Sequence, residues 1–269
     1  MKFRNSAPLD PTQIDDQRRS RRARTALGAL VLTAMAVTAT HGVRTAPTRT
    51  CTTGATANSR QDCRIVAVVN DVNAFWAAEL PRRGVSYTLA RTQLFTGATT
   101  TGCGPATADV GPFYCAPDRK AYLDLGFFRV FTTQFGGHDT AFTEAYVIAH
   151  EYGHHIQNLL GISERVRPGV GPSSDSVKLE LQADCYAGVW AYTASKGRDP
   201  IIQEVTATDI AEGLDAAAKV GDDYIQKRFQ GQVTPENWTH GSSAQRQKWF
   251  TTGYSTGQVT DCDTFSLPL

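Results

Sequence analysis

Apolar residues recur at three- and four-residue intervals through much of this 269-residue chain, which predicts a mainly helical fold. One amphipathic stretch runs from Arg64 to Leu80, where Pro81 stops it. A second covers roughly 139–160 and closes at Gly161. A third runs from Ser176 to about Lys196, and two more occupy about 206–229 and 242–257. Strand character is scarcer: Val85–Phe95 alternates, and Ala121–Phe131 has strand composition. The Gly- and Pro-rich stretch 97–117 reads as a loop pinned by Cys103 and Cys115, and 163–173 reads as a polar loop. The expected architecture is α+β, dominated by helices with a small sheet.

The second helix carries the chain's most telling chemistry, His150-Glu151-Tyr152-Gly153-His154. Positions i and i+4 share a helix face, so two imidazoles there can reach one cation. Glu151 projects beside that point and can take a proton from water held there, as in a zinc hydrolase. Gly153 costs a helix interior roughly 1 kcal/mol, a cost expected where the backbone must approach something closely. Zinc in hydrolases uses three protein ligands and leaves one position open. The best third ligand is Glu180, on the next helix in an apolar setting, with Asp184 one turn on to orient a ligating histidine. His155, Glu144, Asp175, Glu164 and His240 are the other candidates; His155 points about 100° away from His154 and fits poorly. His240 and Tyr122 are candidates to donate a hydrogen bond to a developing oxyanion. His240 also has a plain structural reading, beside the start of the last helix at Ser242.

Charge matters only when split. Residues 1–24 form a basic tail ending in Arg18-Arg19-Ser20-Arg21-Arg22-Ala23-Arg24, and the rest of the chain is mildly acidic, which gives no footing for nucleic acid. The uncharged run 25–40 follows directly, as in a targeting segment. At about 16 residues it is short against the ~20 of a spanning helix. Two outcomes compete: a single-pass anchor with the arginines in the cytoplasm, or a cleaved signal with a weak site at Val37-Thr38-Ala39 and a secreted product. The anchor is the better reading, and either one puts the catalytic part outside the cytoplasm. Residues 41–61 then read as a linker, and 62–269 as the folded domain. The six cysteines include no Cys-x-x-Cys pair, and an even count in an exported chain reads as disulfides. The simplest pairing is Cys51–Cys63, Cys103–Cys115 and Cys185–Cys262, one of many connectivities open to six cysteines.

Several stretches together resemble the neutral zinc metallopeptidases of bacteria, a zincin-type family that usually carries an N-terminal membrane anchor. They are Gly111–Cys115, Tyr122–Leu125, Ala145–His155, Leu179–Trp190, Thr239–Ser243 and Cys262–Phe265, within about 62–266. The resemblance implies His150, His154 and Glu180 as ligands of Zn2+ and Glu151 as general base. It also implies a zincin-like fold and a peptide or protein substrate. Tyr152 stands where a smaller aliphatic residue is commoner, and Cys51 and Cys63 look like an addition. Two other readings compete with peptide hydrolysis: a non-catalytic, zinc-stabilised binding protein of the envelope, and a metal hydrolase of cell-wall amides. Retention of Glu151 argues against the first, because a closed structural site needs no base.

Overall fold

Helix α5 (Asp175–Ala194) is the hub of the computed structural model, which describes residues 1–18, 47–267 and 269. It is buried on nearly every side from Leu181 to Ala191, which explains its continuous rather than striped apolar sequence. Ahead of it come strands β1 (Lys2–Phe3) and β2 (Ile14–Asp16), then helices α1 (Gly54–Ala57) and α2 (Gln61–Glu79). Strands β3 (Arg91–Phe95), β4 (Ala98–Thr101), β5 (Gly104–Thr107), β6 (Phe113–Cys115) and β7 (Lys120–Asp124) follow, then α3 (Gly126–Phe135) and α4 (Ala141–Leu159). After α5 come β8 (Ile202–Glu204), α6 (Ala207–Lys219), α7 (Asp222–Gln230) and α8 (Ser243–Thr256).

The main sheet has the order β2-β3-β7-β6, parallel except for the antiparallel β6–β7 pair. It leans on α4 through buried side chains. The Tyr152 hydroxyl meets Thr92 Oγ1 of β3 at 3.1 Å, and Tyr114 of β6 meets His155 Nδ1 at 2.8 Å. β4 and β5 form a separate hairpin, and β1 pairs with β8.

Close backbone approach sets the helix packing. A Cβ at Gly253 of α8 would lie 2.0 Å from the Cys185 carbonyl oxygen of α5, and one at Gly188 would lie 2.1 Å from the Phe250 carbonyl oxygen. The two helices therefore cross glycine against backbone. Serine and threonine caps fix where three of the helices start: Thr140 for α4, Ser174 for α5, and Ser242 with Gln245 in a capping box for α8. All three expected disulfides are present; Cys185–Cys262 ties α5 to the C-terminal turn across 77 residues.

The α+β class and the long helices agree with expectation, and the departures have local causes. Val85–Phe95 is strand only over β3. Ala121–Phe131 divides into β7 and α3, because the Asp124 carboxylate accepts the Gly126 amide and turns the chain into a helix with Phe128 and Phe131 inward. The 97–117 loop contains β4, β5 and β6. The 206–229 helix breaks at Gly221, where a side chain would strike the Ser243 amide. Two stretches expected as tail and linker are folded where they are described. Phe3, Ala7, Leu9 and Ile14 are buried, as are Cys51 and Ala57. Charged neighbours hide this sparse apolar pattern in the sequence. The 25–40 run lies outside the described residues; among the described residues no helix is long and apolar enough to cross a membrane.

Gly253→Ala forces a methyl group into a backbone carbonyl that cannot move aside. It is expected to cost about 1–3 kcal/mol or more of unfolding free energy, measured by denaturant titration. Reducing the disulfides, with Cys185–Cys262 closing the longest loop, is expected to cost roughly 2–5 kcal/mol in the same assay.

Candidate metal centre

α4 and α5 bring the site together where their backbones touch. A Cβ at Gly153 would sit 2.9 Å from both Cα and O of Ala183, so the glycine answers to the close approach expected from the sequence. Across this contact, His150, His154 and Glu180 offer ligand atoms that all lie within 4.8 Å of one another. His150 Nε2 is 3.1 Å from Glu180 Oε2, and His154 Nε2 is 3.4 Å from Glu180 Oε1.

The far side of each imidazole is also held. His150 Nδ1 lies 2.8 Å from Asp184 Oδ1, and His154 Nδ1 lies 2.9 Å from Gln157 Oε1. These acceptors favour a proton on both Nδ1 atoms, so Nε2 is the atom each ring has left to offer an ion. Gln157 is itself pinned, donating to the Leu179 carbonyl at 2.7 Å and to Gln182 at 3.1 Å. Two nitrogens and a carboxylate oxygen at this spacing form a donor set that suits zinc.

Electrostatics follow from burial and pairing. Burial works against charge on His150, but Asp184 and Glu180 outweigh it and bring the imidazole up to about 10. Burial likewise opposes charge on His154, and Glu180 reverses the effect. Burial opposes charge on the half-buried Glu180, yet His154 and His150 hold it well below the usual carboxylate range. Asp184 is completely buried and would be neutral alone; Arg246 and His150 bring it down to about 2. Glu151 moves the other way, because burial raises it more than the two histidines lower it. A carboxylate with raised proton affinity beside the cluster is suited to accept a proton.

The remaining candidates are placed elsewhere or at the margin. His155 packs under the sheet, with Nε2 2.6 Å from the Thr88 carbonyl, and burial brings it down to about 4. Glu144 is buried against Arg64 at 2.8 Å, Asp175 pairs with Arg167, and Glu164 is exposed on a surface turn. The Tyr122 hydroxyl donates to Asp118 at 2.6 Å. His240 stays close enough to feel the Glu180 charge, while Asp222 raises its proton affinity. Asp222 Oδ2 also accepts the backbone amides of Thr239, His240 and Gly241 at 2.8, 2.7 and 2.9 Å, so one carboxylate shapes this loop.

Three partners were missed in the sequence. Arg246 of α8 is buried and grips Asp184 with Nε at 2.7 Å and Nη2 at 2.9 Å. Tyr146 donates to the same carboxylate at 2.6 Å. Gln157 supports His154. Tyr146 and Gln157 lie four residues before His150 and three after His154, so helical spacing could have found them. Arg246 shares a stripe with Trp249, Phe250 and Gly253, and a charge on an apolar stripe signals a buried partner.

Two helices thus bring together two imidazoles and a carboxylate that could hold a metal ion. It belongs to the family described as "Putative neutral zinc metallopeptidase", which it matches over residues 25–265. It is 53% identical to the uncharacterized protein Rv2575 of Mycobacterium tuberculosis over 222 residues, covering 80% of this chain and 74% of that protein. A protein of Mycobacterium bovis matches to the same degree. The uncharacterized protein YpfJ of Escherichia coli K12 is 39% identical over 208 residues, covering 75% and 69%. No solved structure matches the chain.

Arg246→Met leaves the Asp184 charge buried without its cation and loosens the grip on His150. Zinc affinity, read by competition with a chelator, is expected to fall about 10- to 100-fold.

Proposed function

We propose that the protein is a zinc-dependent peptidase acting outside the cytoplasm, with His150, His154 and Glu180 holding the ion and Glu151 as general base. The observation that carries this reading is the convergence of three donor atoms within 4.8 Å with a raised carboxylate beside them. When bound, zinc lowers the pKa of water toward neutrality and polarises the scissile carbonyl. The chain's own residues do the rest. Glu151 accepts a proton from the attacking water and delivers it to the leaving amine. Asp184, with Arg246 and Tyr146 behind it, and Gln157 fix the two imidazole rings. His240, whose proton affinity Asp222 raises, donates to the oxyanion as the carbonyl becomes tetrahedral. Three disulfides support an oxidising compartment.

Glu151→Gln in the full-length protein separates catalysis from metal storage. Hydrolysis of a generic peptide pool is expected to fall about 10²- to 10⁴-fold, while zinc stoichiometry stays that of the parent. Zinc without any hydrolysis in the parent, unchanged by the substitution, points to the binding protein instead. Turnover of peptidoglycan fragments but not peptides points to the cell-wall hydrolase. His240→Gln is expected to lower kcat about 10²- to 10³-fold with little change in KM; an unaltered kcat removes His240 from the chemistry.

A further inference from the structure

The first 18 residues are joined to the domain by contacts made to measure. Asn58 accepts the Phe3 amide at 2.9 Å and donates to the Phe3 carbonyl at 2.8 Å. Asn70 of α2 does the same for Asp10, at 2.6 and 2.9 Å. Each is a side-chain amide serving as a one-residue strand partner. A Cβ at Gly54 would lie 2.0 Å from the Arg4 carbonyl oxygen, so the receiving surface admits this segment only because glycine stands there. β2 then extends the main sheet beside β3, with Ile14 opposite Thr92 and Asp16 opposite Leu94. Phe3 is 1% exposed and Ile14 is 6% exposed, which is core burial rather than surface contact.

The chain on either side of 19–46 meets at a single carboxylate. Asp16 accepts from Arg18 at 2.8 and 2.7 Å, and from the amide and hydroxyl of Thr48 at 3.3 and 3.2 Å. The Cys51–Cys63 disulfide anchors the returning strand of chain to α2 just beyond. A single passage through a bilayer would put roughly 30 Å of hydrocarbon between these flanks. It would also leave β3 without its parallel neighbour and bare the pockets of Phe3 and Ile14. Docking of residues 1–18 and one crossing by 25–40 exclude each other in the same chain.

We propose that residues 1–18 are an intrinsic part of the catalytic domain and share its compartment, so that residues 18 and 47 lie on the same side of any membrane the protein meets. This holds whether or not the metal centre is a peptidase; it replaces the single-pass anchor and the cleaved signal expected from the sequence, so the extracytoplasmic placement rests on the disulfides alone.

The test compares Lys2 with Lys227, both exposed in the fold. Intact cells producing the full-length chain are treated with a membrane-impermeant amine reagent, and the two lysines are quantified by mass spectrometry before and after lysis. Equal labelling, or equal protection, of Lys2 and Lys227 supports the proposal; equal protection also counts against the extracytoplasmic placement. Labelled Lys227 with Lys2 protected until lysis overturns it. A mature chain that has lost residues 1–18 overturns it too. In the purified full-length protein, the amides of Phe3, Leu9 and Asp10 are expected to exchange on the order of 100-fold or more slowly than in an unstructured peptide. Exchange at the unstructured rate rejects the docking itself.

Discussion

A charged aspartate with no access to water holds this site in shape. Asp184 receives hydrogen bonds from Arg246, Tyr146 and the Nδ1 side of His150, three groups from two helices other than its own. Removing a carboxylate from water is expensive, and only a matched cation with satisfied lone pairs offsets the cost. Because the pair must be complete, α4, α5 and α8 have one relative placement that works. The glycines at 153, 188 and 253 then let those helices approach until the backbones touch. Metal-binding geometry and core packing are therefore the same problem in this protein, solved by the same few residues.

Much of the site was legible because it is written in helical spacing. His150 and His154 are one turn apart, as are Glu180 and Asp184, and all four meet as that spacing implies. Two disulfides were legible from cysteines 12 residues apart, and Cys185–Cys262 as the pair left over. What escaped the sequence is what depends on chain segments far apart. Nothing near Arg246 announces that its partner lies on another helix, 62 residues away. The division of Ala121–Phe131 into strand and helix turns on one Asp124 hydrogen bond, which composition does not reveal. The N-terminal strands were obscured for a related reason: four apolar residues spread among charges become a buried surface only when helices α1 and α2 supply the other half.

The sheet serves the metal centre from the outside. Tyr152 stands within the histidine motif, where a smaller residue would have sufficed for the helix alone. Its hydroxyl reaches Thr92 and the Ala90 carbonyl, and His155 on the same helix reaches Thr88. β3 and the chain entering it thus brace the face of α4 opposite the ligands. A rigid backing of this kind keeps the histidine rings in place, since their own helix is held on both flanks.

The pairing of β1 with β8 sets Phe3 opposite Ile202, so β1 waits for a strand from a distant part of the chain. Parallel pairing of β2 with β3 adds a second long-range closure. Contacts this distant in sequence form slowly, because much of the chain must be ordered before they yield any stabilisation. Docking of β1 and β2 is accordingly expected among the later events of folding, after the distant strands that receive them have taken shape.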